Sequence, residues 1–283
     1  MLVVNLKGGL GNQMFQYALY TKLQQEGKQV YLDYSHIATE MQALKRSTIF
    51  SDFRLDRAYD LQCMQGPFGT LYRKFLIRAF RKLTNVLREK EESVYDAQVF
   101  QIKYGYLDGY WQSEKYFLGC EQELRQRLQF KQALSDANRA ILEKIRSAKC
   151  PVSIHVRLGD YQQAENAGLF GNICTRAYYE KAIACCREKY EEATFFVFSN
   201  EPHKAVEMLN LPNATIVDVN DESSAWADMY LMSQCHHNII ANSSFSWWAA
   251  WLNENPDKVI IAPSKWINGK QTPDVWPETW LRM

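Results

Sequence analysis

Apolar positions along this chain follow two periods, and the changes from one to the other mark out its elements. Leu2 to Leu6 form a short apolar run that ends in Lys7-Gly8-Gly9-Leu10-Gly11. Met14, Phe15, Ala18, Leu19 and Leu23 then recur at helical spacing, and Val30-Tyr31-Leu32 returns to a strand. From His36 to Gln65 no period emerges, and no element is assigned there. Leu71 to Lys90 reads as a basic amphipathic helix, with Leu71, Phe75, Leu76, Ala79, Phe80, Leu83, Val86 and Leu87 on one side and arginines and lysines around the other. Such a helix either packs by its apolar face under a solvated basic surface or docks on anionic lipid headgroups.

Beyond Cys150 the alternation is regular. Apolar strands are predicted at Val152–Leu158, Thr194–Ser199, Ala214–Val219, His237–Ala241 and Val259–Ala262. Helical stretches at Tyr178–Lys189, Pro202–Leu209, Ala225–Ser233 and Phe245–Leu252 separate them. Repeated strand and helix units imply a parallel, doubly wound sheet. The opening segment carries a unit of the same kind, so the expected fold is α/β with two Rossmann-like domains facing each other across a cleft, divided at 1–148 and 149–283. The Trp- and Pro-rich end of the chain is expected to pack back on the first domain.

A length of 283 residues suits two domains, and 47% hydrophobic with 23% charged residues leaves ample material for their cores. A net charge of +1 gives no field that would favour nucleic acid. The seven cysteines include no CxxC pair, so they read as reduced thiols. The amino end shows no basic leader region and the chain no long apolar span, so the expected setting is cytoplasmic.

Chemistry concentrates at strand ends. Ile154-His155-Val156-Arg157-Leu158-Gly159-Asp160-Tyr161 takes an apolar strand into a turn that begins with Arg157, whose guanidinium offers a planar fork for phosphate oxygens. Pairing of Arg157 with Asp160 across the turn is the structural alternative. Ile239 to Trp248 repeats the theme, with Asn242, Ser243 and Ser244 at a helix start that suits either a phosphate or plain N-capping. Asp228 presents two acceptors that match the paired N–H donors on guanine, or else a carboxylate placed at a helix start by the dipole. Gly9-Leu10-Gly11 with Asp33 partly matches a dinucleotide fingerprint, but Met14 stands where the third glycine belongs. The same loop suits close approach to a sugar, with Asn12 and Gln13 as neutral hydrogen-bond groups. No two aspartates are separated by a single residue and the histidines lack zinc spacing, so no metal is expected and charge on a leaving diphosphate falls to Arg157 and backbone amides.

Four motifs in order resemble the α-1,2-fucosyltransferase family, above all the bacterial members that build O-antigen. They are Lys7 to Ala18, Gly109 to Phe117, the His155–Tyr161 turn, and Asn242 to Trp251. The resemblance implies a GT-B-like fold, GDP-β-L-fucose as donor, inversion at the anomeric carbon, no metal or other cofactor, and transfer to O2 of a terminal galactose on an oligosaccharide or lipid-linked glycan. It implies that Arg157 meets the β-phosphate, Asp228 holds guanine, and Ser243, Ser244 and Phe245 form the phosphate turn. A similar loop in peptide O-fucosyltransferases puts its Asn beside the transferred sugar, which points to Asn12. Gly9, Gly11, His155, Ser199, Asn200 and Asn242 complete the expected donor contacts. Asp33, Tyr110, Trp111, Gln112, Glu114 and Tyr161 are the expected acceptor contacts. Arg157, Asn12 and Asp160 are the expected catalytic set, and a peripheral contact of Leu71–Lys90 with anionic membrane would suit a lipid-carried acceptor. Two positions depart from the family pattern: Leu158 replaces a second arginine, and Asn200 replaces an aspartate. A NAD-linked oxidoreductase using Asp33 on the ribose and an inactive sugar-nucleotide-binding module are the competing assignments.

Overall fold

The computed structural model describes residues 1–35, 37, 46–55, 75, 78–159 and 163–283. They form two units, one comprising Met1–Lys131 with Pro273–Val275 and the other Gln132–Thr272 with Trp276–Met283. The division thus falls after Lys131 rather than near 148. Of the carboxyl-terminal segment, only Pro273–Val275 joins the first unit, where Asp274 accepts from the Tyr95 backbone N–H at 2.8 Å and pairs with Lys115 at 2.5 Å.

Unit 1 contains the strands β1 (Leu2–Asn5), β2 (Val30–Asp33), β3 (Val86–Arg88) and β4 (Gly105–Asp108), in the order β2-β1-β4-β3, all parallel. Helix α1 (Leu10–Gln25) follows β1, and a short α2 (Ile49–Asp52) and α3 (Glu121–Arg127) lie further along the unit, besides the helical residues 78–83. Burial of α1 is nearly complete, and its glutamines carry the polar load. Gln13 donates to the Gly8 carbonyl at 2.8 Å and accepts from the Ile49 N–H at 3.0 Å. Gln16 accepts from the Lys7 N–H at 2.9 Å. Gln13 is therefore framework, not the sugar contact expected of it.

The expected helix from Leu71 to Lys90 needs correction. Residues 71–74 and 76–77 lie outside those described, residues 78–83 are helical, and Val86–Arg88 is a strand paired with β4. Thr84 ends the helix by bonding the Phe80 carbonyl through both its N–H and its hydroxyl. Phe80 packs on Val3 and Tyr106 of the sheet, while Phe75 and Leu83 face solvent at 66% and 85% exposure. β-Branched Val86 after a polar Thr-Asn pair suits a strand, and sheet pairing outweighs the helical spacing.

Unit 2 is a six-stranded parallel sheet of β5 (Cys150–Val156), β6 (Ala193–Ser199), β7 (Thr215–Val217), β8 (His237–Ile239), β9 (Ile260–Ala262) and β10 (Leu281–Arg282). Their order, β10-β9-β8-β5-β6-β7, is that of a doubly wound Rossmann sheet. Its helices are α4 (Asp136–Ser147), α5 (Ala164–Phe170), α6 (Arg176–Lys189), α7 (Pro202–Leu209), α8 (Ala225–Ser233) and α9 (Ser244–Leu252). Strand β5 is buried on both faces, as a central parallel strand must be. Val152, Ile154 and Val156 pack with Tyr179, Ile183 and Leu209 of α6 and α7. The opposite face turns His155 toward Phe245 of α9, ring centroids 5.7 Å apart, and Ser153 toward Asn238.

Candidate active site

In unit 2 the chain order reverses between β5 and β8: β6 and β7 continue to one side of β5, while β8, β9 and β10 build outward on the other. Open α/β sheets bind ligands at the carboxyl ends of strands at such a reversal. Two of the sequence-predicted turns meet there. Half-buried Arg157 leaves the end of β5, and the turn after β8 leads into α9 with Ser244 and Phe245 half-buried in its first turn. Ser243 is the N-cap of α9, yet its hydroxyl caps nothing, so plain N-capping does not explain the serine there. The first-turn N–H groups of a helix have no intrahelical acceptor, and with the helix dipole they form an anion-binding end.

Asp228 lies in the first turn of α8, half-buried. Desolvation pushes its carboxyl up to about 7, although a hydrogen bond from Asn220 Nδ2 at 2.6 Å pulls the other way. His155 is 3% exposed. Burial, then the neighbouring Arg157 charge, lowers its imidazole to about 3, so it is neutral and no proton carrier near neutrality. Its Nδ1 has no partner among the described residues.

Three expected donor contacts are committed to the protein itself. The Asn200 amide accepts from Leu158 N–H at 3.0 Å and donates to Leu158 C=O at 3.2 Å, clasping the Arg157 turn. Gly159 sits beneath it at φ +60°, where a Cβ would stand 2.7 Å from Asn200 Nδ2. An aspartate at 200 would set an oxygen against the Leu158 carbonyl, which accounts for the amide; Leu158 lies in the apolar core, where a second arginine has no place. Asn242, 3% exposed, donates to the carbonyls of Phe170 and Trp266, both at 3.2 Å, and so anchors the turn instead of reaching a ligand. Ser199 Oγ accepts from the Glu201 N–H at 3.0 Å.

The carboxyl edge of unit 1 is built differently. Lys7, just past β1, pairs with Asp108 at the end of β4 at 2.7 Å, and Asn5 donates to the same oxygen at 3.0 Å. Gly8 adopts φ +76°, and a Cβ there would stand 2.8 Å from Asn12 Nδ2, so glycine is needed for the Asn12 amide to lie over the loop. Asn12 Oδ1 accepts from Gln112 at 2.8 Å, and Gln112 accepts from Ser93 at 3.0 Å. Gly9, the N-cap of α1, has open space where a Cβ would be, whereas Gly11 is buried. Glu89, after β3, accepts from the N–H of Tyr110 at 2.7 Å and of Trp111 at 3.2 Å, and burial raises its carboxyl. Those bonds brace a turn in which Trp111 has φ 56°.

Several acceptor assignments change as a result. Asp33 is 1% exposed and accepts from Tyr106 OH at 2.7 Å, so it neither polarises a substrate hydroxyl nor reaches a ribose. Trp111, 1% exposed, packs edge-on to Tyr116 at 5.5 Å and is core. Gln112 is buried and orients Asn12. Tyr110 and Glu114 remain half-buried. Asp160 and Tyr161 lie outside the described residues. Residue type and spacing did not single out Lys7, Gly8, Glu89, Asp108 and Asn220, of which only Lys7 and Gly8 lie inside one of the motifs.

A doubly wound sheet with an arginine turn and an uncapped helix start at its reversal has the geometry that suits an anionic ligand. The comparisons with known proteins name the family. The chain matches Glycosyl transferase family 11 over residues 1–281 and belongs to it. It is 32% identical to an alpha-1,2-colitosyltransferase of Escherichia coli, covering 100% of this chain and 99% of that protein. It is 30% identical to the O-antigen biosynthesis glycosyltransferase WbnK of Escherichia coli, covering 98% and 99%. The crystal structure of fucosyltransferase NodZ from Bradyrhizobium shares the fold at 15% identity and TM-score 0.50, covering 88% of this chain and 91% of that one. Membership in a glycosyltransferase family displaces the oxidoreductase alternative.

Proposed function

We propose that the protein transfers L-fucose from GDP-β-L-fucose, with inversion and without a metal, to O2 of a terminal galactose in O-antigen or another surface polysaccharide. The carrying observation is the meeting of Arg157 and the open amino end of α9 at the strand reversal. Arg157 and the peptide N–H groups of Ser244 and Phe245 stabilise the diphosphate as its bond to the anomeric carbon breaks. The acceptor oxygen attacks that carbon from the opposite face and gives its proton to Asp160 or to solvent. Asp228 reads the guanine edge, Asn12 stands beside the sugar, and Tyr110 and Glu114 contact the acceptor.

The relative named as a colitosyltransferase supports a second donor, since colitose is L-fucose without its 3-hydroxyl. GDP-fucose and GDP-colitose offered separately to an acceptor panel in EDTA, with the product linkage read by NMR, test both. Transfer of neither sugar, with no GDP released, returns the protein to an inactive binding module. Among the described residues no helix is long and apolar enough to cross a membrane. Solvent-facing Phe75 and Leu83 beside Arg78 and Lys82 support a peripheral contact at the cytoplasmic face, which sedimentation with anionic and neutral vesicles tests.

A further inference from the structure

Asp228 holds its place through a chain of side-chain amides. Ser135, the N-cap of α4, accepts from Asn138 Nδ2 at 3.0 Å. Asn138, 3% exposed, donates to Asn220 Oδ1 at 2.7 Å and accepts from Asn220 Nδ2 at 2.9 Å. Asn220, in the loop between β7 and α8, uses its remaining amide hydrogen on Asp228 Oδ1 at 2.6 Å. The amide of Asn220 is thereby saturated, with both hydrogens and its oxygen engaged, and it cannot rotate without losing all three bonds. Asp228 itself takes no other hydrogen bond among the described residues, so Oδ2 of a desolvated carboxyl lacks a protein donor. A carboxyl held by one oxygen and open at the other is arranged for a ligand that brings its own N–H groups.

We infer that Asn220, locked by Asn138, is a positioning residue for base specificity: it fixes the plane in which Asp228 meets the paired N–H donors of a guanine nucleotide. The inference rests on Asp228 as the guanine contact. A freely rotating carboxylate would still attract the ring N–H, but it would align less often with the exocyclic amine as well. Asn220 therefore governs discrimination between guanine and a base that lacks that amine.

The test is calorimetric titration of the full chain with GDP and with IDP, which keeps the ring N–H and lacks the amine. The native protein is expected to favour GDP by about tenfold or more, the lower range for a two-point base contact. Asp228→Asn should abolish the preference, and Asn220→Ala should reduce it to about threefold or less while thermal melts report a folded protein. A general structural defect would instead weaken GDP and IDP equally and leave the ratio intact, which overturns the role of Asn220. An unchanged ratio in Asp228→Asn overturns the guanine assignment itself, so the two failures are distinct. Should Asn220→Ala not fold, Asn138→Ala carries the test: it frees Asn220 without removing it, and a lowered ratio supports the relay while an unaltered one refutes it.

Discussion

At the carboxyl edge of the first sheet the polar side chains brace the loops around them, whereas at the edge of the second the described residues leave one helix start without a side-chain cap and one oxygen of Asp228 without a protein donor. Lys7 with Asp108, Asn12 with Gln112 and Ser93, and Glu89 with three backbone N–H groups close the first edge into a braced loop. On the second, among the described residues α9 begins without a side-chain cap and Asp228 takes a single hydrogen bond. Buried polar groups are normally paired, so an uncapped helix start and an open carboxylate oxygen at a strand reversal are what the proposed nucleotide would occupy. Bracing at the first edge instead fixes loop shape, which suits the acceptor surface proposed for it.

The contrast predicts opposite losses in the two units. Arg157→Ala should lower kcat/KM by about 100-fold, the scale of a charge-assisted contact to a leaving diphosphate; retention of more than about a tenth of the rate would remove its phosphate role. Glu89→Gln should cost about 1–3 kcal/mol of stability in denaturant titration, because one amide NH2 must then face a backbone N–H. GDP affinity should be untouched by it. If GDP binding weakens as much as stability does, the two edges are not independent.

Asp228 supplies a pH test of intermediate size. Its folded pKa, about 7, stands above the ordinary 3.8, so the native state holds a proton that the unfolded state has released between those values. Its favourable contribution to apo stability is complete below about pH 4 and is lost as pH rises through 7. Asp228→Asn should therefore raise the apo melting temperature at pH 8 and leave it nearly unchanged near pH 4. GDP, which favours the ionised carboxylate, should bind progressively more weakly below pH 7, toward a limit of about tenfold per unit. A flat affinity profile from pH 5.5 to 8, followed by calorimetry, would show that the carboxylate does not meet the nucleotide. The smallest expected effect compares caps. Thr175 caps α6 through its side chain and Thr175→Ala should cost about 1 kcal/mol, whereas Ser243 caps nothing and Ser243→Ala should cost under about 0.5 kcal/mol.

Periodicity alone located most of the second sheet. Strands β5 to β9 and helices α6 to α9 fall within a few residues of the predicted runs, since parallel strands buried on both faces leave unbroken apolar stretches. The first sheet was harder. Val86–Arg88 carried helical spacing into what is a strand, and Gly105–Asp108 is too short and mixed to announce itself. The placement of Arg157 at a strand end, and of Asp228 and Ser243–Phe245 at helix starts, was legible because strand ends and helix starts have local signatures. Asn138 and Asn220, 82 positions apart, meet only through the fold.

What the chain by itself determined is the alternation of strand and helix, the placing of cationic and hydroxyl groups at strand ends, and the glycines that let the turns form. These depend on neighbours within a few residues, where periodicity and backbone preference act. Tertiary structure alone decided which polar side chains are spent. Asp33, Gln13, Trp111, Asn200 and Asn242 looked available by residue type and proved to be framework, because burial and contacts with distant side chains and backbone are set by packing that no local window contains.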